Sequence, residues 1–434
     1  MAQSVKARKS NNEQSMKPAD ATLLALLRRV LFFSADVLDE FSPGMDWAAV
    51  FIEAIHQTVL PLALEAALTL SEDIRPSEQQ LEPFRNYATS QAVKNERLMA
   101  EQNKLLKAFA ERSIPCVVLK GSSAAAPYPR PELRVLGDID LLVDRTSLES
   151  AVEILLELGY RKGQGNEEFH LGFAGASAYV ELHFEATFFP ENAAGNALRI
   201  LMASALPAQR TVTQGDYTFP VLSPEQQAVS LLMHMQRHMK ALGIGLRHLC
   251  DFAVFIKQLS PGEWERTVAP ALKEGSLLRF AQFLARTCVL YLGLPPASAP
   301  WCGGVSDSVC HELILEFLRS GNFGCKDPRH RASSVLGLDK TGLGTSRFMT
   351  MTILRNMNLY ARKHYPSTEH LPLLLPVFWV FLPLKHLFDT RKSAARPEVM
   401  RTFSEGRRRQ RLFAQLGLFE EEYRAKGWNR HCDR

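Results

Sequence analysis

Asp138 and Asp140 stand two residues apart in the run Asp-Ile-Asp-Leu-Leu-Val, residues 138–143. Side chains alternate between the faces of an extended strand, so both carboxylates leave the same side. Ile139, Leu141, Leu142 and Val143 are apolar, and a strand so built is expected to be largely buried. Neighbouring carboxylates in such a place repel and are poorly solvated, which a shared proton or a bound cation relieves. Hard divalent cations favour carboxylate oxygens, and Mg²⁺ in particular is held by one or two carboxylates plus substrate phosphates. Glu181 lies mid-strand in Tyr179-Val180-Glu181-Leu182-His183, with His183 on its own face. If that strand pairs with residues 138–143, a third acid joins the first two. Three acids can hold two ions roughly 3.5–4 Å apart, clamping the attacking and leaving oxygens of phosphoryl transfer.

Gly121 and Ser122 supply the complementary half, directly after a short apolar strand. A glycine there lets backbone approach a phosphate, and successive N–H groups with a serine hydroxyl, from Ser122 or Ser123, can hold its oxygens. Lys120 and Arg134 are the nearest cations for a triphosphate. Singly these features are ordinary: a turn, a polar strand end, an edge carboxylate. Their order along one module is the specific signal.

The elements that must position them read as strand 115–119, a Pro- and Ala-rich loop over 124–131, strand 138–143, a helix ending at Gly159, a Gly- and Glu-rich loop, and strand 179–184. Thr146 and Glu149 have the spacing of a capping box at the start of that helix. This α+β module, a small mixed-sheet core, is embedded between N- and C-terminal helical regions. Asp20 is read as the N-cap of a first helix carrying Leu23, Leu24, Leu27 and Leu31 at helical spacing; a helix over 47–70, a link over 74–83 and a long helix over 82–112 follow. Ser223-Pro224-Glu225-Gln226 opens a second helical series through 239, 246–259, 262–293, 306–320 and 344–364. The expected division is a disordered tail over 1–20, a helical region over 21–112, the core over 113–222, a helical domain over 223–365, and a Pro-rich apolar segment with a basic helix over 366–434.

The 434 residues are 46% hydrophobic and 22% charged, which permits a sizeable core and excludes global disorder. A net charge of +5, with no basic stripe interleaved with aromatics near the acids, argues against nucleic acid as partner. Seven scattered cysteines without a CxxC pair, and a polar N-terminus without an apolar signal region, point to the cytoplasm. The apolar run 371–384 is only 14 residues long and holds three prolines, where a spanning helix needs about 20 residues. No transmembrane helix is expected; a peripheral membrane contact is the lesser reading. Arg407, Arg408, Arg409 and Arg411 are expected on a solvated helix face.

The run Leu119-Lys120-Gly121, Tyr128-Pro129-x-Pro131-x-x-Arg134-x-x-x-Asp138-Ile139-Asp140-Leu141-Leu142-Val143, followed by Leu158-Gly159-Tyr160 and Val180-Glu181-Leu182-His183, resembles the bacterial family of uncharacterised nucleotidyltransferases, within the superfamily sharing the DNA polymerase beta-type fold. The resemblance implies that Asp138, Asp140 and Glu181 are metal ligands and that Gly121 and Ser122 contact the triphosphate. It also suggests that His238, Arg247 and Asp251 border the pocket, although Arg247 and Asp251, four apart, read equally as an exposed helix pair. His234 and His238 have helical metal spacing, but without an intervening glutamate they do not form a metalloprotease motif.

The expected function is transfer of a nucleoside monophosphate from NTP, with two Mg²⁺, to the hydroxyl of an unidentified small-molecule or protein acceptor. Pyrophosphate leaves, and Glu181 is a candidate base. The alternatives are a non-catalytic NTP-binding regulatory protein and a peripheral membrane assembly factor.

Overall fold

The computed structural model describes residues 16–33, 41–42, 44–163, 169–207, 209–326, 374–381 and 399–418, together with Leu354, Asn358, Ala361 and Tyr365. Helix α1 spans Pro18–Phe32 and is entered through Lys17, with Pro18 in the first turn. Asp20 is therefore not the cap but a buried first-turn residue; proline's fixed φ suits the first helical position and starts the helix earlier. The single helix expected over 47–70 is two, α2 (Trp47–His56) and α3 (Leu60–Leu68). In a continuous helix Pro61 would clash with the carbonyl of Gln57 and leave it without a donor, so the chain breaks between them. Thr58 takes φ 58° there. Gln57 is fully buried at the break and accepts from the Leu246 amide at 2.8 Å while donating to the Glu53 carboxylate. Helix α4 (Glu78–Glu111) starts ahead of the expected position, on a Ser77–Gln80 capping box, and takes Pro83 inside it.

Among the described residues seven strands follow: β1 (Cys116–Val118), β2 (Ile139–Val143), β3 (Arg161–Lys162), β4 (His170–Ala174), β5 (Tyr179–His183), β6 (Arg210–Gln214) and β7 (Tyr217–Val221). They form one mixed sheet in the order β3-β4-β5-β2-β1-β7-β6. The three expected strands are its centre, β5-β2-β1, with β2 parallel to β5 and antiparallel to β1. The helices interleaved with them are α5 (Ser122–Ala125), α6 (Leu148–Glu157) and α7 (Ala193–Ala203), before α8 (Pro224–Ala241) and α9 (Leu246–Gln258). The Thr146–Glu149 capping box does not form. Asp144 accepts instead from the Thr146 amide at 2.8 Å and hydroxyl at 2.7 Å, inserting a 3-10 turn before α6.

The alternation within the central strands assigns each face its own core. Val118, Ile139, Leu141, Val143, Val180 and Leu182 pack with Leu105 and Phe109 of α4 and Leu155 of α6. Val117, Leu119 and Leu142 face the opposite way, into the larger helical core that contains α1–α3, α8 and α9. Asp140 has the parity of Leu142, so it lies on the face that α8 and α9 cover. The site therefore occupies the seam between sheet and helical region.

Farther along, helix Val399–Gln415 docks on helix Asp307–Ser320. Arg407 and Arg411 are exposed as expected, but Arg408 and Arg409 are not on a solvated face: both pair with Glu316, and Arg409 is buried. The helical pattern over 344–364 lies outside the described residues except at isolated positions. Of the apolar run 371–384 only 374–381 is described, with Val377 and Val380 exposed. No helix among the described residues is long and apolar enough to cross a membrane.

Candidate functional site

The parallel register of β2 and β5 sets Asp140 directly beside Glu181 and Leu142 beside His183. Asp138 sits one residue ahead of β2. One carboxylate oxygen from each of Asp138, Asp140 and Glu181 lies within 4.8 Å of the other two. The Leu119 amide donates to the Asp140 carbonyl at 3.1 Å, which carries the turn after β1 to the same spot. Lys120 thereby places Nζ 2.7 Å from Asp140 Oδ1 and 3.9 Å from Glu181 Oε2. His183 Nε2 is 3.1 Å from the same Asp140 oxygen and 3.3 Å from Glu181 Oε2.

The charges respond to this crowding. Burial and the neighbouring Asp140 push the Asp138 carboxyl up to about 6. Burial would also raise Asp140, but Lys120 and the His183 hydrogen bond outweigh it and hold that carboxyl well below the usual range. Lys120 shows the mirror case, with burial opposing its charge and the three acids keeping it protonated above its ordinary value. Asp138 must give up its proton to ligate, so affinity for Mg²⁺ should climb as pH rises through about 6 and level off above it. Calorimetric titration with Mg²⁺ between about pH 5 and pH 8 measures this, and a flat profile would rule out Asp138 as a ligand. The same shift sets the sign for stability. With the folded pKa above the unfolded one, this group's contribution is complete at acid pH and is lost as pH rises through about 6.

Gly121 makes the turn at φ +62°, and a Cβ there would meet the Asp138 carbonyl oxygen at 3.4 Å. Lys120 and Gly121 line the cleft in front of the acids. The serine hydroxyls point elsewhere: Ser122 donates to Gln102 Oε1 at 2.7 Å, and Ser123 to the Lys120 carbonyl at 3.3 Å. The Ser123 amide is engaged as well, donating to the Lys120 carbonyl at 3.2 Å, so the Ser122 amide is the serine group available to an anion at this turn.

Arg134 reaches the cleft but is already engaged. Its guanidinium grips Asp251 with both arms, at 3.0 and 2.7 Å, and Tyr128 donates to the same carboxylate at 2.7 Å. Asn95 fixes the surrounding loop by donating to the carbonyls of Glu132 and Arg134 and accepting from the Leu136 amide. Arg247 and Asp251 are therefore not an exposed helix pair; Asp251 is claimed by Arg134, more than a hundred residues away in sequence. Arg247 donates to the Val135 carbonyl at 3.2 Å, while its Nε is buried with no partner among the described residues. Burial and Arg134 lower the Arg247 guanidinium to about 10. It lines the cleft as a cation without an ion-paired carboxylate among the described residues.

His234, His238 and His248 form the opposite wall, with His234 and His238 ring centroids 4.3 Å apart and His234 and His248 stacked at 5.4 Å. Burial lowers all three, His238 to about 4, so they are neutral near pH 7. His238, Arg247 and Asp251 all border the cleft. His170 was missed in the sequence. It sits on β4 directly across from His183, with Nε2 3.6 Å from Glu181 Oε1. The clue lay in the alternation of residues 169–174, interrupted by Gly172.

Three carboxylates sharing one lysine fit a divalent cation: Lys120 supplies positive charge where such an ion would neutralise the acids. A family model described as "Uncharacterised nucleotidyltransferase" matches residues 43–293, more than half of the chain. No curated protein and no solved structure matches.

Proposed function

The chain belongs to the uncharacterised nucleotidyltransferase family, and from that premise we propose that it transfers a nucleoside monophosphate from an NTP to an acceptor hydroxyl, with pyrophosphate as the leaving group. The observation that carries the proposal is the convergence of Asp138, Asp140 and Glu181 within 4.8 Å, beside a turn whose glycine permits close backbone approach. Mg²⁺ ions held by these acids, two in the full complex, would supply Lewis-acid stabilisation of the charge that develops on the phosphates. The chain's own residues do the rest. The amides of Gly121 and Ser122 and the Lys120 ammonium receive the β- and γ-phosphates, so Lys120 leaves Asp140 when donor and cation enter. Arg247 lines the cleft that the phosphates would enter and offers them its positive charge. Arg134 acts from behind, holding the loop that leads into Asp138. Glu181, whose side chain is 24% exposed, takes the proton of the acceptor hydroxyl as the oxygen attacks the α-phosphate in line. The neutral histidine wall and α8 shape the space for the acceptor, a small molecule or a protein side chain.

Incubation with each NTP, Mg²⁺ and candidate acceptors should release pyrophosphate and leave an acceptor heavier by one nucleotidyl group in mass spectrometry. Tight NTP binding with pyrophosphate no higher than in the Asp138→Asn variant would instead identify a non-catalytic nucleotide-binding protein.

A further inference from the structure

The acids are not the only ligating cluster on this face of the sheet. The antiparallel register of β4 and β5 sets His170 directly opposite His183, and Glu181 lies two residues before His183 on the same side. A ligand atom from each of His170, Glu181 and His183 lies within 4.8 Å of the other two. The two imidazoles flank different oxygens of one carboxylate: His170 Nε2 is 3.6 Å from Glu181 Oε1 and His183 Nε2 is 3.3 Å from Oε2. Bonds of about 2.0–2.1 Å to a tetrahedral ion put neighbouring donors roughly 3.3–3.5 Å apart. The present spacings approach that geometry without movement of the strands. The rings are also held in place. Phe169 packs 4.7 Å from His170 and 6.1 Å from His183, and Arg237 covers Phe169 at 4.9 Å. Both histidines are buried, while Glu181 opens into the cleft, which gives an ion a route in.

From this arrangement we infer that His170, Glu181 and His183 form a second, nitrogen-rich cation site that takes a transition ion (Mn²⁺, Co²⁺ or Zn²⁺) in preference to Mg²⁺. Two imidazoles and one carboxylate suit such ions, whereas Mg²⁺ dehydrates reluctantly and prefers oxygen. Glu181 then belongs to both positions and bridges them. The centre becomes unsymmetrical, with an oxygen-only ion on Asp138 and Asp140 and a nitrogen-bound ion on the histidines. The use of this second ion in nucleotidyl transfer rests on the function proposed above; its binding does not.

The experiment uses the full chain, stripped with a chelator and titrated with Co²⁺ in the presence of excess Mg²⁺, reading the visible ligand-field absorption. One equivalent should bind and give the intense band of a low-coordinate site, unaffected by the Mg²⁺. Displacement of the band by Mg²⁺ in the wild-type protein overturns the proposal without any variant. His170 is the discriminating position because its ion pair is with Glu181, whereas His183 also pairs with Asp140. His170→Ala and His170→Gln should each weaken Co²⁺ binding by more than the roughly 10–100-fold that outer-shell partners carry. Asp138→Asn should leave the band in place. Undiminished Co²⁺ affinity in His170→Gln, with a metal-free melting temperature equal to the wild type's, also overturns it. A wild-type band without pyrophosphate release defeats the transferase reading alone; pyrophosphate release without a band defeats the second site alone.

Discussion

Asp140→Asn should reduce nucleotidyl transfer by at least about a thousandfold, while changing the side chain by a single atom. Removal of one preorganised charge-stabilising group commonly costs about 10²–10³ in rate, and Asp140 has more than one partner to lose. It is the central acid, buried, in contact with Lys120 and His183 and paired through its strand with Glu181. Asparagine retains the shape and one carbonyl oxygen but not the charge, so cation affinity and phosphate placement fall together. The same substitution should be felt without substrate. Breaking a buried ion pair from one side typically costs about 3–5 kcal/mol because the other charge is stranded. Of its two ion pairs Lys120 keeps the weaker, at 3.9 Å to Glu181. Pyrophosphate release and the urea midpoint of the metal-free protein read the two effects separately. Normal turnover in Asp140→Asn would remove the acids from the chemistry altogether.

Asp251→Ala should be the most damaging substitution outside the acids, lowering stability by about 3–5 kcal/mol. It strands Arg134, deprives the Tyr128 hydroxyl of its acceptor and leaves Arg247 beside a second unneutralised guanidinium. The loss is electrostatic rather than a matter of missing volume, so the paired substitution Arg134→Leu with Asp251→Leu should recover much of it, as buried ion pairs replaced by apolar residues often do. Transfer activity should stay low in the recovered protein, because Arg134 anchors the loop that delivers Asp138. Guanidinium unfolding and pyrophosphate release measured on the single and paired variants test both halves. A paired variant no more stable than Asp251→Ala would show that the cost lies in packing.

The three acids were legible because alternation is a local rule: Asp138 and Asp140 sit on the same side of a strand whatever lies around it, and Glu181 needed only one pairing assumption. That β2 and β5 are parallel neighbours is non-local, yet the apolar residues around each acid already required both strands to be central. The outer strands gave weaker signals. β6 and β7 form an edge hairpin with Pro220 and several threonines, and β4 contains a glycine, so both resemble loop by composition. His170 remained out of sight with its strand. Side-chain partnerships formed late in the fold were likewise invisible. The sequence showed an arginine at 134, while its carboxylate came from α9; it showed basic residues at 408 and 409, while Glu316 drew both inward. The turn serines misled in a related way. Their position after the strand suggested hydroxyls free for an anion, but Gln102 of α4 had already taken that of Ser122.

Lys120 gives this centre a property that many metalloproteins lack. Where ligand charges repel one another, a chain often cannot close until an ion arrives, and metal uptake and folding become one event. Here an ammonium on a flexible stem already sits among the acids, so the architecture can be completed from the polypeptide alone. Under the function proposed above, the ion would be a reagent that comes and goes with each nucleotide rather than a rivet in the scaffold. Scarcity of metal should therefore silence such a protein without dismantling it.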